Sequence, residues 1–271
     1  MKVTVAGGDL RMKTTRTLFQ KSGYTVNKDD IKTKGELISE ITDSDVVVMP
    51  TPYAKNGFLN APFIDEPIAI TEIFKAGNEK TLFFGGMLKE THKNLIDYAE
   101  NEEFLIKNAI LTAEGAIEIA MNELKRSIFG SETLIIGFGR IGSYLSKLLK
   151  SLGARTTVAS RNEKSRAIAE SYMHSVVDTK DLSTVLPSFD LVFNTAPTIL
   201  LRERELSALK GDCFVIDLAS APGGVDPTIA ELLQVKTVHA LGIPGKYSPE
   251  SAGRIIFETV SKRLSERSYA E

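Results

Sequence analysis

The chain has 271 residues, 42% hydrophobic and 25% charged, the balance of a soluble globular protein long enough for one large domain or two modest ones. A formal net charge of −2 gives no general attraction to nucleic acid or to an acidic membrane surface. A single cysteine excludes an internal disulfide; with no secretory leader in MKVTVAGGD and no apolar run of membrane-spanning length, a cytoplasmic protein is expected, and the separated His92, His174 and His239 offer no zinc spacing.

In chain order, Val3 to Ala6 reads as a strand before a Gly-Gly turn, Leu10 to Lys21 as a helix, and Tyr24 to Val26 as a second strand. The apolar runs Asp45–Met49 and Thr81–Phe84 have the form of buried parallel strands. A helix is predicted over 112–128, with Thr112 as N-cap, Gly130 as its close, and Ile117, Ala120, Met121, Leu124 and Ile128 on one face. Strands follow at 132–137, 155–159, 190–194, 213–218 and 236–240. Ser248 and Pro249 begin a last helix that runs to about Leu264. The expected organisation is two α/β domains: a substrate or catalytic domain over 1–111, an interdomain helix over 112–129, a Rossmann-type parallel-sheet domain over 130–247, and a C-terminal helix over 248–271.

The sharpest motif is Gly137-Phe-Gly139-Arg140-Ile141-Gly142, a GxGxxG run directly after an apolar strand and directly before a helix. Gly137 permits the tight turn, Gly139 lets backbone approach a diphosphate, and Gly142 lets the helix pack close to the sheet. The helix N-terminus then presents free N–H groups to phosphate. At the end of the next strand an NAD enzyme usually carries Asp or Glu for the ribose hydroxyl. Here stand Ser160, Arg161 and Asn162, with Lys164 and Arg166 behind, which favours NADP; a basic loop with Glu163 on the ribose is the alternative. The strand ends Asn194-Thr195-Ala196-Pro197 and Asp217-Leu218-Ala219-Ser220 are expected to line the nicotinamide half, and Cys213 is read as a small buried hydrophobe rather than a nucleophile.

On the substrate side, Asp9 and Arg11 follow the first strand and lack the third glycine of the fingerprint. They suit a carboxylated substrate, or else pair with each other on the helix surface. Thr51, between Pro50 and Pro52, and the Gly85-Gly86 turn end two further strands and are expected to face a cleft. Glu114, near Thr112, is a candidate general acid or base, or a first-turn carboxylate complementing the helix dipole. In the segment from Leu241 to Ser251, two glycines and two prolines fix the backbone beside Lys246, Tyr247, Ser248 and Ser251. Lys246 and the following helix N-terminus are candidates for holding carboxylates.

The GGD-x-R run, LTAEGAI, GFGRIG, DLAS-x-PGGVD and LGIPGKYSPESAG, spread from Val3 to about Phe257, together resemble the family of dipicolinate synthase A subunits of spore-forming bacteria. The resemblance implies a two-domain NADP enzyme for the last step of dipicolinate formation, from 4-hydroxy-tetrahydrodipicolinate or its dehydration product, on a branch of the lysine pathway. It also implies a partner, the flavoprotein-like B subunit of the synthase, and a role in the mother cell during sporulation; a homo-oligomer is expected. On that reading Arg11, Lys246 and a helix N-terminus bind a dicarboxylate ring and Glu114 is the base. Two rivals remain: a 2-hydroxy-acid-type dehydrogenase, which needs an Arg after the 213–218 strand and a His backed by a carboxylate, and a non-catalytic NADP-binding component of a two-part synthase.

Overall fold

The computed structural model describes residues 1–29 and 31–268. Two compact units divide the chain: residues 1–108 together with the chain from Pro244 onward, and residues 109–243.

The first unit begins with β1 (Lys2–Val5), α1 (Leu10–Lys21), β2 (Thr25–Val26), α2 (Lys34–Thr42) and β3 (Val46–Val48). An antiparallel ribbon of β4 (Ala54–Lys55) and β5 (Phe58–Leu59) follows, then α3 (Ile70–Ala76), β6 (Leu82–Gly85) and β7 (Leu95–Asp97). Its main sheet is parallel, in the order β2-β1-β3-β6-β7. Val46, Val47 and Val48 are at most 1% exposed, as parallel strands buried on both faces require. The strand order reverses between β1 and β3, and ligands of open parallel sheets sit outside the carboxyl ends at such a point. The loops that end in Asp9 and Thr51 leave the sheet there.

Capping chemistry explains several helix starts. Asp9 accepts a hydrogen bond from the Arg11 amide at the head of α1. Thr33 and Glu36 form a reciprocal capping box at the head of α2, a helix absent from the sequence expectation.

The helix expected over 112–128 is α4 (Glu102–Glu123). Asn101 Oδ1 accepts from the Phe104 amide, and Glu102 and Glu103 occupy the first turn, so the helix starts ten residues earlier than expected. Thr112 is therefore not a cap, and Glu114 is not in the first turn. Ala113, Ala116, Ala120 and Ile117 make the buried stripe, whereas Met121 is 54% exposed. Gly130, at φ +77°, is not this helix's C-cap; it serves the turn into the next strand, donating to the Gly153 carbonyl at 2.9 Å.

The second unit continues with β8 (Glu132–Ile136), α5 (Arg140–Ser151), β9 (Arg155–Ala159), α6 (Glu163–Ser171), β10 (Ser175–Val177) and α7 (Leu182–Val185). It then adds β11 (Leu191–Asn194), α8 (Glu203–Ser207), β12 (Phe214–Asp217), α9 (Pro227–Leu232) and β13 (Lys236–His239). All six strands are parallel, ordered β10-β9-β8-β11-β12-β13, the doubly wound order of a dinucleotide-binding sheet. Leu134, Ile136, Val192 and Val215 join Leu186 and Phe189 in one apolar core; each such side chain contributes roughly 1.5–3 kcal/mol on burial. At the opposite, amino-terminal end of the sheet, Asp190 takes Lys210 at 2.9 Å, Arg126 at 3.1 Å and the Glu132 amide at 2.9 Å. Burial opposes ionisation of Asp190, but Lys210, the Glu132 amide and Arg126 outweigh it and hold the carboxyl below its ordinary value.

The segment expected to be an irregular loop after 240 contains a short helix, α10 (Ile243–Tyr247), because Gly242 at φ +68° turns the chain and Ser248 donates back to the Pro244 carbonyl. α11 (Pro249–Ser268) begins at Pro249 as expected and runs past Leu264. It packs on α1. A Cβ on Gly253 would lie 2.3 Å from the Arg11 carbonyl oxygen, and Thr15 Oγ1 donates to the Gly253 carbonyl at 3.0 Å. Phe19 and Phe257 meet edge to face at 4.9 Å.

Candidate functional site

In the second unit the fingerprint glycines behave as three different devices. Gly137 sits at φ +95°, and a Cβ there would reach within 2.4 Å of Thr195 Oγ1. At Gly142 a Cβ would strike the Gly137 carbonyl oxygen at 2.4 Å, so α5 can press on the turn only without a side chain. Gly139 differs: a Cβ there would meet nothing within 4 Å. The bend is thus bare on the side that a diphosphate needs. Gly139 is also the N-cap of α5 and provides no side-chain acceptor, so no side chain from the cap competes for the first-turn amides. Arg140 and Ile141 occupy that first turn. The geometry fits a dinucleotide.

At the end of β9, Ser160 is buried and its Oγ accepts from the Asn162 amide at 3.2 Å. Asn162 caps α6 through Ser165. Arg166, one of the basic residues close behind, is committed to the Ser160 carbonyl and to Asp178. Arg161 is exposed and makes no ion pair among the described residues.

The ends of β11 and β12 are joined rather than open. Asn194 and Asp217 are 0% and 3% exposed. Asp217 Oδ1 accepts from Asn194 Nδ2 and the Ala219 amide; its Oδ2 accepts from the Gly224 and Val225 amides. Asn194 also exchanges hydrogen bonds with Ala196. These two side chains shape the loops and are fully engaged in doing so, whereas Thr195, Ala196 and Pro197 stay partly or wholly exposed. Leu218 and Ala219 are buried beside them.

His239 enters the sequence-based expectation only as the histidine that the 2-hydroxy-acid dehydrogenase rival would need, with no obvious acidic neighbour in sequence. It ends β13 in register with Asp217, and its Nε2 lies 2.8 Å from the Ala219 carbonyl. A carbonyl can only accept, so Nε2 carries the proton and Nδ1 is the basic atom of the neutral ring. The signal that points to it is the sheet order, which sets the ends of β12 and β13 side by side. No arginine ends β12, and His239 is backed by a carbonyl rather than a carboxylate, unlike the 2-hydroxy-acid dehydrogenase pattern. Cys213 is 2% exposed and burial pushes its thiol up to about 12, so it is no nucleophile.

In the first unit Asp9 and Arg11 form a two-pronged pair, Nε to Oδ1 at 2.8 Å and Nη2 to Oδ2 at 2.8 Å. The pair is not on the helix surface: Arg11 is 6% exposed. Burial works against the Asp9 charge, but the Arg11 hydrogen bonds and charge prevail and hold its carboxyl below the ordinary range. Gly245 of α10 packs on the pair; a Cβ there would lie 2.7 Å from Asp9 Oδ2. Thr51 is 9% exposed and abuts Gly86, whose absent Cβ would lie 3.0 Å from the Tyr98 ring. The Tyr98 hydroxyl donates to the Met49 carbonyl at 2.9 Å; burial raises its pKa far above the usual value, with the Arg11 charge pulling the other way. The structure therefore groups Asp9, Arg11 and Gly245, with Thr51 at the neighbouring strand end. Lys246 and Ser251 are exposed, and Tyr247 and Ser248 half-buried, at the head of α11. Thr112 is buried and Glu114 exposed, both in the middle of α4. Among the described residues no group of His, Cys, Asp or Glu could hold a metal ion, and no helix is long and apolar enough to cross a membrane.

Comparison with known proteins agrees with this division. The family model for the N-terminal domain of the dipicolinate synthase A subunit matches residues 2–104, and that of the D-isomer specific 2-hydroxyacid dehydrogenase NAD binding domain matches residues 107–243. The dipicolinate synthase A subunit of Bacillus subtilis (strain 168) is 26% identical, over 98% of this chain and 96% of its own. The crystal structure of the dipicolinate synthase A subunit from Bacillus halodurans superimposes with a TM-score of 0.86 at 26% identity, covering 97% of each chain. D-lactate dehydrogenase from Escherichia coli shares the fold alone, at 14% identity and a TM-score of 0.64 over 100% of this chain and 98% of its own. Through residues 107–243 the chain belongs to the family of the D-isomer specific 2-hydroxyacid dehydrogenase NAD binding domain, and along nearly its whole length it is similar to the A subunit of dipicolinate synthase.

Proposed function

We propose that the chain is the A subunit of a dipicolinate synthase, an NADP-dependent oxidoreductase that converts 4-hydroxy-tetrahydrodipicolinate, or its dehydration product, to dipicolinate. The observation that carries the oxidoreductase reading is the bare Gly139 bend ahead of an α5 whose N-cap has no capping side chain. The substrate is the one the family resemblance of the sequence implies, and similarity to the A subunit of dipicolinate synthase supports that reading. When bound, the dinucleotide supplies a hydride acceptor, and ring aromatisation supplies driving force.

The chain's own residues have four tasks. The bend from Gly137 to Gly142 seats the diphosphate. Arg161, unpaired among the described residues and following Ser160 at the end of β9, takes the 2′-phosphate that distinguishes NADP. In the first unit Lys246 and the α11 N-terminus receive substrate carboxylates; the Asp9–Arg11 pair fixes the adjoining wall rather than offering a free guanidinium. Proton removal falls to Glu114 or His239. His239 is favoured because the Ala219 carbonyl fixes its ring and leaves Nδ1 basic. The proposal includes the synthase's flavoprotein-like B subunit in the role of partner, a homo-oligomeric assembly of this chain, and cytoplasmic action in the mother cell of a sporulating bacterium, on a branch from lysine synthesis.

Purified chain tests this, with the substrate generated in place and NADP added. Growth of the aromatic product's ultraviolet absorbance without the B subunit is expected. Product only after that partner is added supports the non-catalytic reading instead. Activity on D-lactate with none on the dicarboxylate sinks the proposal.

A further inference from the structure

The first unit holds a cavity of about 240 Å³ at the carboxyl ends of β1 and β2 that the proposed reaction leaves unused. Neither Arg11 nor Thr51 lines it. Its apolar wall includes Met12, Ile31, Leu37, Ile64 and Phe63, the last an aromatic ring left 61% exposed. Among the described residues its charged lining is Lys13, Arg16 and Lys32 against Asp9 and Asp29. Arg11 already matches Asp9, so cations prevail. Arg16 pairs with Asp29 Oδ1 and donates to the Asn27 carbonyl at 3.3 Å, but its Nε is buried with no acceptor among the described residues. A buried guanidinium N–H without an acceptor is costly, and an oxygen of a ligand would relieve it.

The arrangement follows the rule for a nucleotide on a βαβ unit. A glycine turn after the first strand faces the phosphate, and a carboxylate about 20 residues on, past the second strand, accepts from the ribose. Gly7 and Gly8, at φ +70° and +83°, make the turn here; the Gly8 amide donates to the Asn60 carbonyl at 2.7 Å, so the donor left for a phosphate is Lys13. Asp29 stands at the second position, and its Oδ2 has no hydrogen-bond partner among the described residues. Two features limit the ligand to one nucleotide. Arg11 stands where the third fingerprint glycine would be, and 240 Å³ is below the roughly 300–1,000 Å³ of sites for larger ligands.

We infer that this cavity binds a ribonucleoside 5′-phosphate. The base lies against Ile31, Leu37, Phe63 and Ile64, the ribose hydroxyls reach Asp29, and the phosphate sits by Gly7, Gly8 and Lys13. The site is separate from the dinucleotide bend of the second unit.

Calorimetric titration of AMP into the full chain carrying Gly139→Asp tests this. That side chain enters open space and places a negative charge at the second unit's phosphate position, so folding is retained while the bend is closed to phosphate. One AMP per chain is expected. Asp29→Asn, combined with Gly139→Asp, then weakens AMP about tenfold and leaves 2′,3′-dideoxy-AMP unchanged, as loss of one charge-assisted hydrogen bond dictates. Lys13→Glu, at an exposed position, weakens AMP while sparing adenosine. Absence of heat with AMP, binding that Gly139→Asp abolishes, or equal losses of AMP and dideoxy-AMP in Asp29→Asn overturns the inference.

Discussion

Asp217 Oδ1 accepts a 2.7 Å hydrogen bond from Asn194 Nδ2, and this contact ties the carboxyl ends of β12 and β11 together inside the second unit. The same carboxylate takes three backbone amides. Asp217→Ala would strand Asn194 and those amides in a dry interior, and a loss of about 3–5 kcal/mol is expected. Urea unfolding of the two chains measures it; a loss below about 1 kcal/mol would show that the carboxylate does not hold these loops.

Coenzyme choice is the next test. Arg161→Glu replaces an exposed guanidinium, unpaired among the described residues, with a carboxylate beside Ser160. NADP affinity is expected to fall about 10–100-fold and NAD affinity to change little, since a charged hydrogen bond is worth about 1.5–3 kcal/mol. Fluorescence titration with both reduced coenzymes reads the ratio. Equal losses would remove Arg161 from the 2′-phosphate.

Two glycines predict opposite outcomes. Gly253→Ala drives a Cβ to 2.3 Å from the Arg11 carbonyl oxygen between α1 and α11, so a cost of about 1–3 kcal/mol and a lower Tm are expected. Gly139→Ala meets nothing within 4 Å and should leave Tm within a degree or two, while weakening dinucleotide binding because the methyl group covers the bend. A Tm drop at Gly139 with none at Gly253 would contradict the packing described.

Acid stability follows from Asp9 and Asp190. Both carboxyls are held below their ordinary value of 3.8, so both bind protons less readily folded than unfolded. Their contribution is complete above that value and is lost as pH falls through the lowered folded values. Lys210→Met removes the partner of Asp190 at 2.9 Å, and the acid-unfolding midpoint followed by circular dichroism should move to higher pH. An unchanged midpoint would mean that the pair adds nothing.

Legibility in the sequence is uneven for physical reasons. The three central strands of the second sheet, β8, β11 and β12, are readable because buried parallel strands are continuous apolar runs: Leu134 to Ile136, Leu191 to Phe193 and Phe214 to Ile216. β7 and β10 are three-residue edges whose side chains are half-buried or, at Ser175, exposed, too short for a pattern. α2 carries a local signal in Thr33 and Glu36, whose spacing is that of a capping box. The start of α4 is easily misplaced because Thr112 has the chemistry of a cap, while the true signal, Asn101 followed by two glutamates, lies upstream. For the site, the glycine bend is read locally. The burial of Asn194 and Asp217, the Asp9–Arg11 pair under Gly245, and His239 against Ala219 each depend on contacts between segments far apart in the chain.

Thr15 reaches Gly253, a partner 238 positions later, and Phe19 reaches Phe257. A nascent chain therefore leaves the ribosome with α1 lacking its cover until α11 is made. The second unit, contiguous in sequence, can be complete before the first, although its synthesis begins later. Cutting the gene after Asn108 would release not a small autonomous module but a sheet whose first helix presents Thr15 and Phe19 to water.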